Sequence, residues 1–292
     1  MTEIKINLID EPTLQEKYFF RKDRMMKITA GEIYASIESI RAQAPVVHSI
    51  TNYVVMNNTA NALLAIGASP VMAHAEEEVV DMVNIASALV INIGTLSKKW
   101  VKAMFKAASA ARKKGIPLIL DPVGAGATPY RTKTTKDLMA DETPKIIRGN
   151  ASEIIALYDD QSKTRGVDSS ASSDMAVEVA RVLSEIYQCV ICVSGEVDYI
   201  VGPEGTVKIK NGHAMMSRVT GLGCTASSLC AAFAVVEKSA LKATAQAMAV
   251  MGITGEIAVE TATGPGSLQV DFLDSLYRIS LDDIALRLKV ED

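Results

Sequence analysis

Short β-branched runs alternate with amphipathic helical stretches along most of the chain, and this alternation most narrows the folds open to it. The runs are "PVVHSI" (45–50), "ASPVMA" (68–73), "ALVINIG" (88–94), "IPLILDP" (116–122), "PKIIRGN" (144–150) and "CVICVSG" (189–195). Helical patterns fall at 57–67, 76–88, 96–115, 151–158 and 172–187, with Gly67 and Gly115 where helices should stop. Near-continuous apolar strands separated by helices predict βαβ units: an α/β fold with a mostly parallel sheet and helices on both faces. After residue 195 the pattern changes. "EVDYIVGPEGTVKIKNGHAMMSRV" reads as short strands joined by turns, an antiparallel edge to the sheet, with "PEG" (203–205) as a hairpin-type signal. From Cys224 the chain reads as helix over 224–237, 240–262 and 267–279.

Length alone allows one large domain or two ordinary ones among 292 residues. No repeat and no Pro/Ser-rich linker divides the chain, so a single domain over 27–292 is expected, preceded by a polar, irregular arm at 1–26. The net charge of −4, with Lys and Arg spread along the chain, does not suggest nucleic acid as a partner. Aromatic residues at 5% are too few for base-stacking platforms. No apolar run reaches the length of a membrane span, and the first residues lack the pattern of a signal peptide, so no membrane association and a cytoplasmic location are expected.

Four cysteines do not make a disulfide framework. Cys189 and Cys192 form a CxxC, but in a β-type run residues three apart point to opposite faces, which favours core packing over a metal or redox pair. Cys224 and Cys230 are six apart, on different sides of a helix.

In open α/β sheets ligands bind beyond the carboxyl ends of the strands. Here those ends read "HSITN", "MAHAE", "NIGT", "DPVGAG", "RGNASE" and "SGEVDY". Each alone is ordinary turn chemistry; six on one edge point to a site. Two readings of Asp121 stand side by side: an N-cap or Asx-turn, and a carboxylate aimed at Mg²⁺. The same holds for "RGNASE". Asn150 and Glu153 have the spacing of a capping box, while Glu153 could also hold metal-bound water and Arg148 could fork onto phosphate oxygens. "RVTGLGCTASS" (218–228) places Gly221, Gly223 and Cys224 at the start of a helix. No Walker A loop occurs. "GLGCTA" matches a relaxed dinucleotide fingerprint, but it follows the sheet instead of opening it. An anion hole built from the N–H groups of Gly221 to Cys224 is the better functional reading, beside that of a tight turn before a core helix. His48, His74 and His213 lack ligand spacing; His48 is expected to be a satisfied strand-end histidine.

Taken together, "VVHSITNYVVMNNTANALLAIGASPVM", "DPVGAG", "RGNASEI", "SGEVDY", "VTGLGC" and "GPGS" resemble the hydroxyethylthiazole kinase family, over roughly residues 42–280. The resemblance implies a three-layer ribokinase-like fold. It also implies transfer of the ATP γ-phosphoryl group to the hydroxyl of 4-methyl-5-(2-hydroxyethyl)thiazole in thiamine biosynthesis or salvage, and a homotrimer. It further implies that Asn52, Gly67, Met72 and Gly221 line the thiazole pocket. Arg148 and Ser194 would meet the nucleotide phosphates, Asp121 and Glu153 would serve Mg²⁺, and Cys224, Gly221 and Gly223 would form the catalytic turn. Two departures stand out. The family often has Thr where this chain has Ser194, and its loop often reads G-T-G-C where this chain has Leu222. Most ribokinase-fold kinases resemble one another in an Asp base after this turn; here Cys224 takes its place. A helix N-terminus lowers a thiol pKa, so a thiolate could accept the hydroxyl proton, although phosphoryl transfer rests mainly on positioning. Cys224 is therefore expected to position the hydroxyl and to assist proton removal only weakly. The rival readings are another small-molecule kinase of this fold, of hydroxymethylpyrimidine or pyridoxal type, and a non-catalytic nucleotide-binding scaffold.

Overall fold

The computed structural model describes residues 24–158 and 169–291. Residues 1–23 of the expected arm lie outside them. The first helix, α1 (Ala30–Gln43), starts at a capping box: Thr29 accepts from the Glu32 N–H while the Glu32 carboxylate takes the Thr29 N–H. Then follow β1 (Val46–Ile50), α2 (Met56–Ile66), β2 (Ser69–Val71), α3 (Val79–Ile85), β3 (Ala88–Asn92), α4 (Lys98–Lys114), β4 (Leu118–Asp121), α5 (Pro129–Asp141), β5 (Ile146–Asn150) and α6 (Ala151–Tyr158). The chain continues through α7 (Ser169–Tyr187), β6 (Val190–Ser194), β7 (Asp198–Gly202), β8 (Gly205–Ile209) and a 3₁₀ turn (Ala214–Arg218). It ends with α8 (Leu222–Val236), α9 (Ala240–Thr261), α10 (Pro265–Arg278), α11 (Leu281–Arg287) and β9 (Val290–Glu291).

The strands form one sheet in the order β2-β1-β3-β4-β5-β6-β7-β8-β9. Pairs from β2 to β6 are parallel, and those from β6 to β9 are antiparallel. The antiparallel edge read from residues after 195 is thus the β6–β7–β8 meander. Residues 24–26, the end of the expected arm, lie along β8, where the Met26 N–H donates to Thr206 O at 2.9 Å. This pairing and β9 cover part of an edge that would otherwise expose unpaired backbone.

Alternation along the strands divides the core between two faces. Ala88 and Val90 of β3 enter one cluster with α1, α2, α8, α9 and α10; Leu89 and Ile91 enter the other with α3, α4, α5 and α7. Cys192 falls in the first cluster and Cys189 in the second, so the CxxC pair straddles the sheet. Burial pushes the Cys189 thiol up to about 12 and the Cys192 thiol well above its ordinary value. All four cysteines are free. Surface helices follow the expected period: α4 buries Trp100, Ala103, Met104, Ala107, Ala108 and Ala111 and leaves its lysines outside. The sequence reading assigned no element to α1, α5 or α11. Among the described residues, no helix is long and apolar enough to cross a membrane.

α9 is buried almost all round and crosses the backbone at Asn211. A Cβ at Gly252 would lie 2.5 Å from the Asn211 carbonyl. Helix propensity alone makes Gly→Ala stabilising by up to about 1 kcal/mol. At this crossing the sign reverses: Gly252→Ala is expected to cost about 1–3 kcal/mol, read as a lower urea midpoint at unchanged slope.

Candidate active site

Because β1 to β6 run parallel, their carboxyl ends open on one side of the sheet. From β1 the chain goes to β2 on one flank, then returns to β3 on the other, so the order reverses between β1 and β3. That switch point is where a crevice forms in such sheets. Asn52 stands just beyond β1, and Asn92 ends β3. Asn52 Nδ2 donates to Asn92 Oδ1 at 2.9 Å and lies 3.5 Å from Cys224 Sγ. Asn92 Nδ2 donates onward to Asp121 Oδ2 at 2.9 Å, and Ser227 Oγ donates to the same oxygen at 2.7 Å. Asp121 ends β4, a strand buried along its whole length, and is itself 1% exposed. Its other oxygen, Oδ1, has no hydrogen-bond partner. Burial raises the Asp121 pKa to about 6, and Glu153 adds to the rise, against the opposing pull of Arg148 and of the Ser227 and Asn92 hydrogen bonds.

β5 supplies Arg148. Its Nη2 donates to Ser194 Oγ at 2.7 Å, and Ser194 Oγ donates to Gly149 O at 3.2 Å. Burial works against the Arg148 charge, but the net direction is upward, with Asp121 the leading cause and Cys192, Asp198 and Glu153 behind it. The guanidinium lies against the start of α8, where a Cβ on Gly223 would come within 2.9 Å of Nη1. Glu153 serves as a cap: Oε2 accepts from the Asn150 N–H and Oε1 from the Gly124 N–H, both at 2.8 Å, while the Glu153 N–H donates to Asn150 Oδ1 at 2.9 Å. The capping box read from "NASE" is present, and Glu153 also ties the "DPVGAG" turn to β5.

The oxygens present fit a hard cation. Asp121 Oδ1 is an orphaned buried acceptor, and Glu153 keeps lone pairs beyond its two backbone contacts. Among the described residues no group of three or more His, Cys, Asp or Glu side chains is placed to hold a metal. Asp121 and Glu153 match the one or two carboxylates that Mg²⁺ takes when water and phosphate oxygens complete its shell.

α8 closes the crevice. Gly221 caps it at φ +87°, and a Cβ there would lie 2.7 Å from Val55 Cγ1, so both backbone and space require glycine. Helix geometry leaves the N–H groups of Leu222, Gly223 and Cys224 without intrahelical acceptors, facing the side on which Arg148 lies. The Leu222 side chain is 5% exposed and packs into the core, so the loop presents backbone and not a side chain to the crevice. Cys224 corrects an expectation. Its pKa is raised to about 11, first by burial and then by Asp121, and hydrogen bonds from Asn92 and Asn52 and the Arg148 charge only moderate this. Its place in the first turn of a helix does not outweigh these, and the thiol stays protonated at neutral pH.

The structure therefore brings Asn52, Asp121, Arg148, Glu153, Ser194, Gly221, Gly223 and Cys224 to one edge. Met72 lies on that edge too, just past β2, the outermost strand. Gly67 does not. It ends α2 in a left-handed conformation near the amino end of β1, where a Cβ would strike the Arg41 backbone at 2.9 Å. Its glycine lets α2 pack on α1. Sequence reading noted Asn92 only as the start of the strand end "NIGT" and gave no role to it or to Ser227, the two donors that hold Asp121. An Asn closing the apolar run "ALVIN" was the available signal. His48 is buried in the middle of β1, with Nε2 2.8 Å from Ala73 O but Nδ1 without a partner, so the expectation of a satisfied strand-end histidine is met at one ring nitrogen only.

A cavity of about 440 Å³ opens on the opposite edge, at the amino ends of β4 and β5. Its one buried carboxylate, Glu142, is paired with Arg112. The carboxyl edge, with a buried acid whose Oδ1 has no partner, a guanidinium and a helix N-terminus, is the candidate site.

These features define an α/β phosphotransferase fold of the ribokinase-like kind. A ribokinase-like superfamily protein from Enterococcus faecalis V583 superposes with a TM-score of 0.61 at 14% identity, covering 87% of this chain and 96% of that one, which speaks for the fold alone. The chain belongs to the Hydroxyethylthiazole kinase family, whose family model matches residues 37–282. It is 59% identical over 266 residues to the hydroxyethylthiazole kinase of Syntrophus aciditrophicus (strain SB), covering 91% of this chain and 98% of the relative. The hydroxyethylthiazole kinase structure from Pyrococcus horikoshii OT3 matches with a TM-score of 0.82 at 42% identity, covering 89% of this chain and 98% of that one.

A carboxylate raised from 3.8 to about 6 carries a native-state penalty of roughly 3 kcal/mol on its charged form, felt in full above that pH. Asp121→Asn is therefore expected to be at least as stable as the wild type in neutral urea titrations without nucleotide, while its turnover falls about 100-fold or more. A destabilised Asp121→Asn protein would contradict this reading of the site.

Proposed function

We propose that this chain carries out its family's reaction at the carboxyl-edge crevice: transfer of the ATP γ-phosphoryl group to the primary hydroxyl of 4-methyl-5-(2-hydroxyethyl)thiazole. The observation that carries the assignment to this crevice is the buried, unpartnered Asp121 Oδ1 beside Arg148 and the amino end of α8. A lone acidic oxygen next to a guanidinium and a cluster of free N–H groups is a place for a metal-bound polyphosphate. Asn52, Met72 and Gly221 form the acceptor side. Arg148, held by Ser194, binds phosphate oxygens on the nucleotide side. Asp121, with Glu153 acting through water, would hold Mg²⁺; when bound, that cation offsets charge on the phosphate oxygens.

The chain's own residues then do the following. The N–H groups of Leu222 to Cys224, the α8 dipole and Arg148 receive the charge on the equatorial oxygens of the transferring group. Cys224 and Asn52 orient the acceptor hydroxyl. As its oxygen bonds to the γ-phosphorus, the bond from phosphorus to the β-γ bridging oxygen breaks and ADP leaves. In a loose transition state the hydroxyl proton departs late, onto a phosphate oxygen of the transferred group or water, so a protonated thiol suffices as a positioning group. The resemblance also supports a homotrimer and a cytoplasmic setting. The exposed Leu64, Val270 and Tyr277 are consistent with burial between subunits.

The test is a coupled ADP-release assay with Mg-ATP and the thiazole alcohol, with mass detection of the product. The phosphate ester should form only when both substrates are present. ADP without ester would mean another acceptor or idle hydrolysis, and neither product from folded protein would favour a nucleotide-binding scaffold. Sedimentation of the same protein should give a trimer mass. Cys224→Ser is expected to lose about tenfold or less in kcat, far less than Asp121→Asn, and its pH–rate profile should match the wild type from about pH 6.5 to 9.5. A wild-type ionisation near 8.5 that disappears in Cys224→Ser would restore the thiolate base.

A further inference from the structure

Three rings meet on the acceptor flank of the crevice. Tyr53 and Trp100 lie 4.6 Å apart between centroids, His74 and Trp100 4.4 Å, and Tyr53 and His74 6.4 Å, nearly edge-on. Each comes from a different segment. Tyr53 follows Asn52 in the turn between β1 and α2, His74 lies just past Met72 at the end of β2, and Trp100 sits in the first turn of α4. Trp100 is the anchored member: it is 5% exposed, belongs to the core cluster beneath, and its N–H donates to the cap at Ser97 Oγ. Tyr53 is the loose one, at 64% exposed.

The turn from Asn52 to Val55 is anchored at its ends, where Asn52 and Val55 are buried and Asn52 bonds Asn92, but its exposed middle at Tyr53 and Val54 is lightly held. The Tyr53 N–H donates to Thr95 Oγ1 at 3.2 Å, the Val54 N–H to Asn52 Oδ1 at 3.2 Å and the Val55 N–H to Asn52 O at 3.2 Å. All three are long bonds, and two of them close the turn on itself. Yet this turn carries the Asn52 amide that reaches Cys224, and the Val55 side chain that abuts Gly221. Its position sets the acceptor side of the crevice. Its outward hydrogen bonds run to Asn92, Cys224 and Thr95, whereas Arg148 and Ser194, which serve the nucleotide side, are bonded to each other. Offset and tilted aromatic contacts supply a directional hold of the size such a turn needs.

We infer that Trp100 is a positioning residue for the acceptor: through the stacked rings of Tyr53 and His74 it braces the 52–55 turn and the Met72–His74 segment, and so sets affinity for the thiazole alcohol without setting affinity for ATP. The inference rests on the acceptor site proposed above. Its reach is specific, because a core tryptophan with a merely structural role would disturb both substrates alike.

The experiment uses Trp100→Leu, Trp100→Phe and Tyr53→Leu in the full chain. Tyr53→Leu guards against misfolding, since it alters an exposed side chain. Steady-state KM for each substrate is measured beside amide hydrogen exchange at residues 53–55. Trp100→Leu and Tyr53→Leu should raise the acceptor KM roughly five- to tenfold, leave the ATP KM within about twofold, and speed exchange at 53–55; Trp100→Phe should recover most of each effect. Unchanged exchange at 53–55 in both leucine variants, or equal rises in the two KM values, would overturn the brace. If the wild type forms no thiazole phosphate, the functional reading fails, while the exchange data still decide whether the brace exists.

Discussion

A carboxylate at the end of a wholly buried strand is the constraint around which this site is arranged. β4 is apolar and covered on both faces, and Asp121 closes it without reaching solvent. Burying such a charge is unfavourable unless it is paired and hydrogen-bonded. Here the compensation is partial. Asn92 and Ser227 satisfy one oxygen, Arg148 supplies opposite charge, and the second oxygen is left for a ligand. The neighbours follow from that arrangement. Asn92 must be an amide because it donates to Asp121 while accepting from Asn52. Gly223 must lack a side chain because Arg148 occupies the space. The result is an acid that is unfavourable for the fold and suited to a metal-bound phosphate.

The fold places these groups by simple means. Parallel strands put every carboxyl end on one side, and the reversal between β1 and β3 opens the crevice there. α8 lies over β1, β3 and β4 and delivers a helix N-terminus to the same point. Three kinds of polar group converge there: strand-end amides, buried ionised side chains and orphan helix N–H groups. The antiparallel meander from β6 to β8 fixes the turn after Ser194, where Asp198 accepts from the Gly195 N–H at 3.1 Å. Burial raises Asp198 to about 6 as well, while its Gly195 hydrogen bond and Arg148 oppose the rise.

Much of this was legible in the chain. Strand runs ended by Asn, Asp or Arg marked both the sheet and its functional edge, because an apolar period and its interruption are local signals. "RGNASE" and "GLGC" showed their helix caps directly. What failed had non-local causes. Asn92 and Ser227 look like any strand-end amide or helix serine until the fold brings them to Asp121. Gly67 was expected at the pocket from the family resemblance, yet the length of α2 separates it from the carboxyl edge. The helix position of Cys224 was readable, but the burial and the Asp121 charge that outweigh it were not. α1 was missed although "TAGE" carries its capping box, and α5 although Thr128 caps it and Pro129 opens it.

The central claim is that phosphoryl transfer occurs over the amino end of α8, between Arg148 and Cys224. The most direct measurement is a crystal structure with ADP, Mg²⁺, a planar metal fluoride and the thiazole alcohol. The account predicts the fluoride within hydrogen-bond reach of the N–H groups of Leu222 to Cys224 and of Arg148, the cation on Asp121 Oδ1, and the alcohol oxygen beside Cys224 Sγ and Asn52. A fluoride bound elsewhere on the carboxyl edge, or an Asp121 Oδ1 still unliganded in that complex, would contradict it.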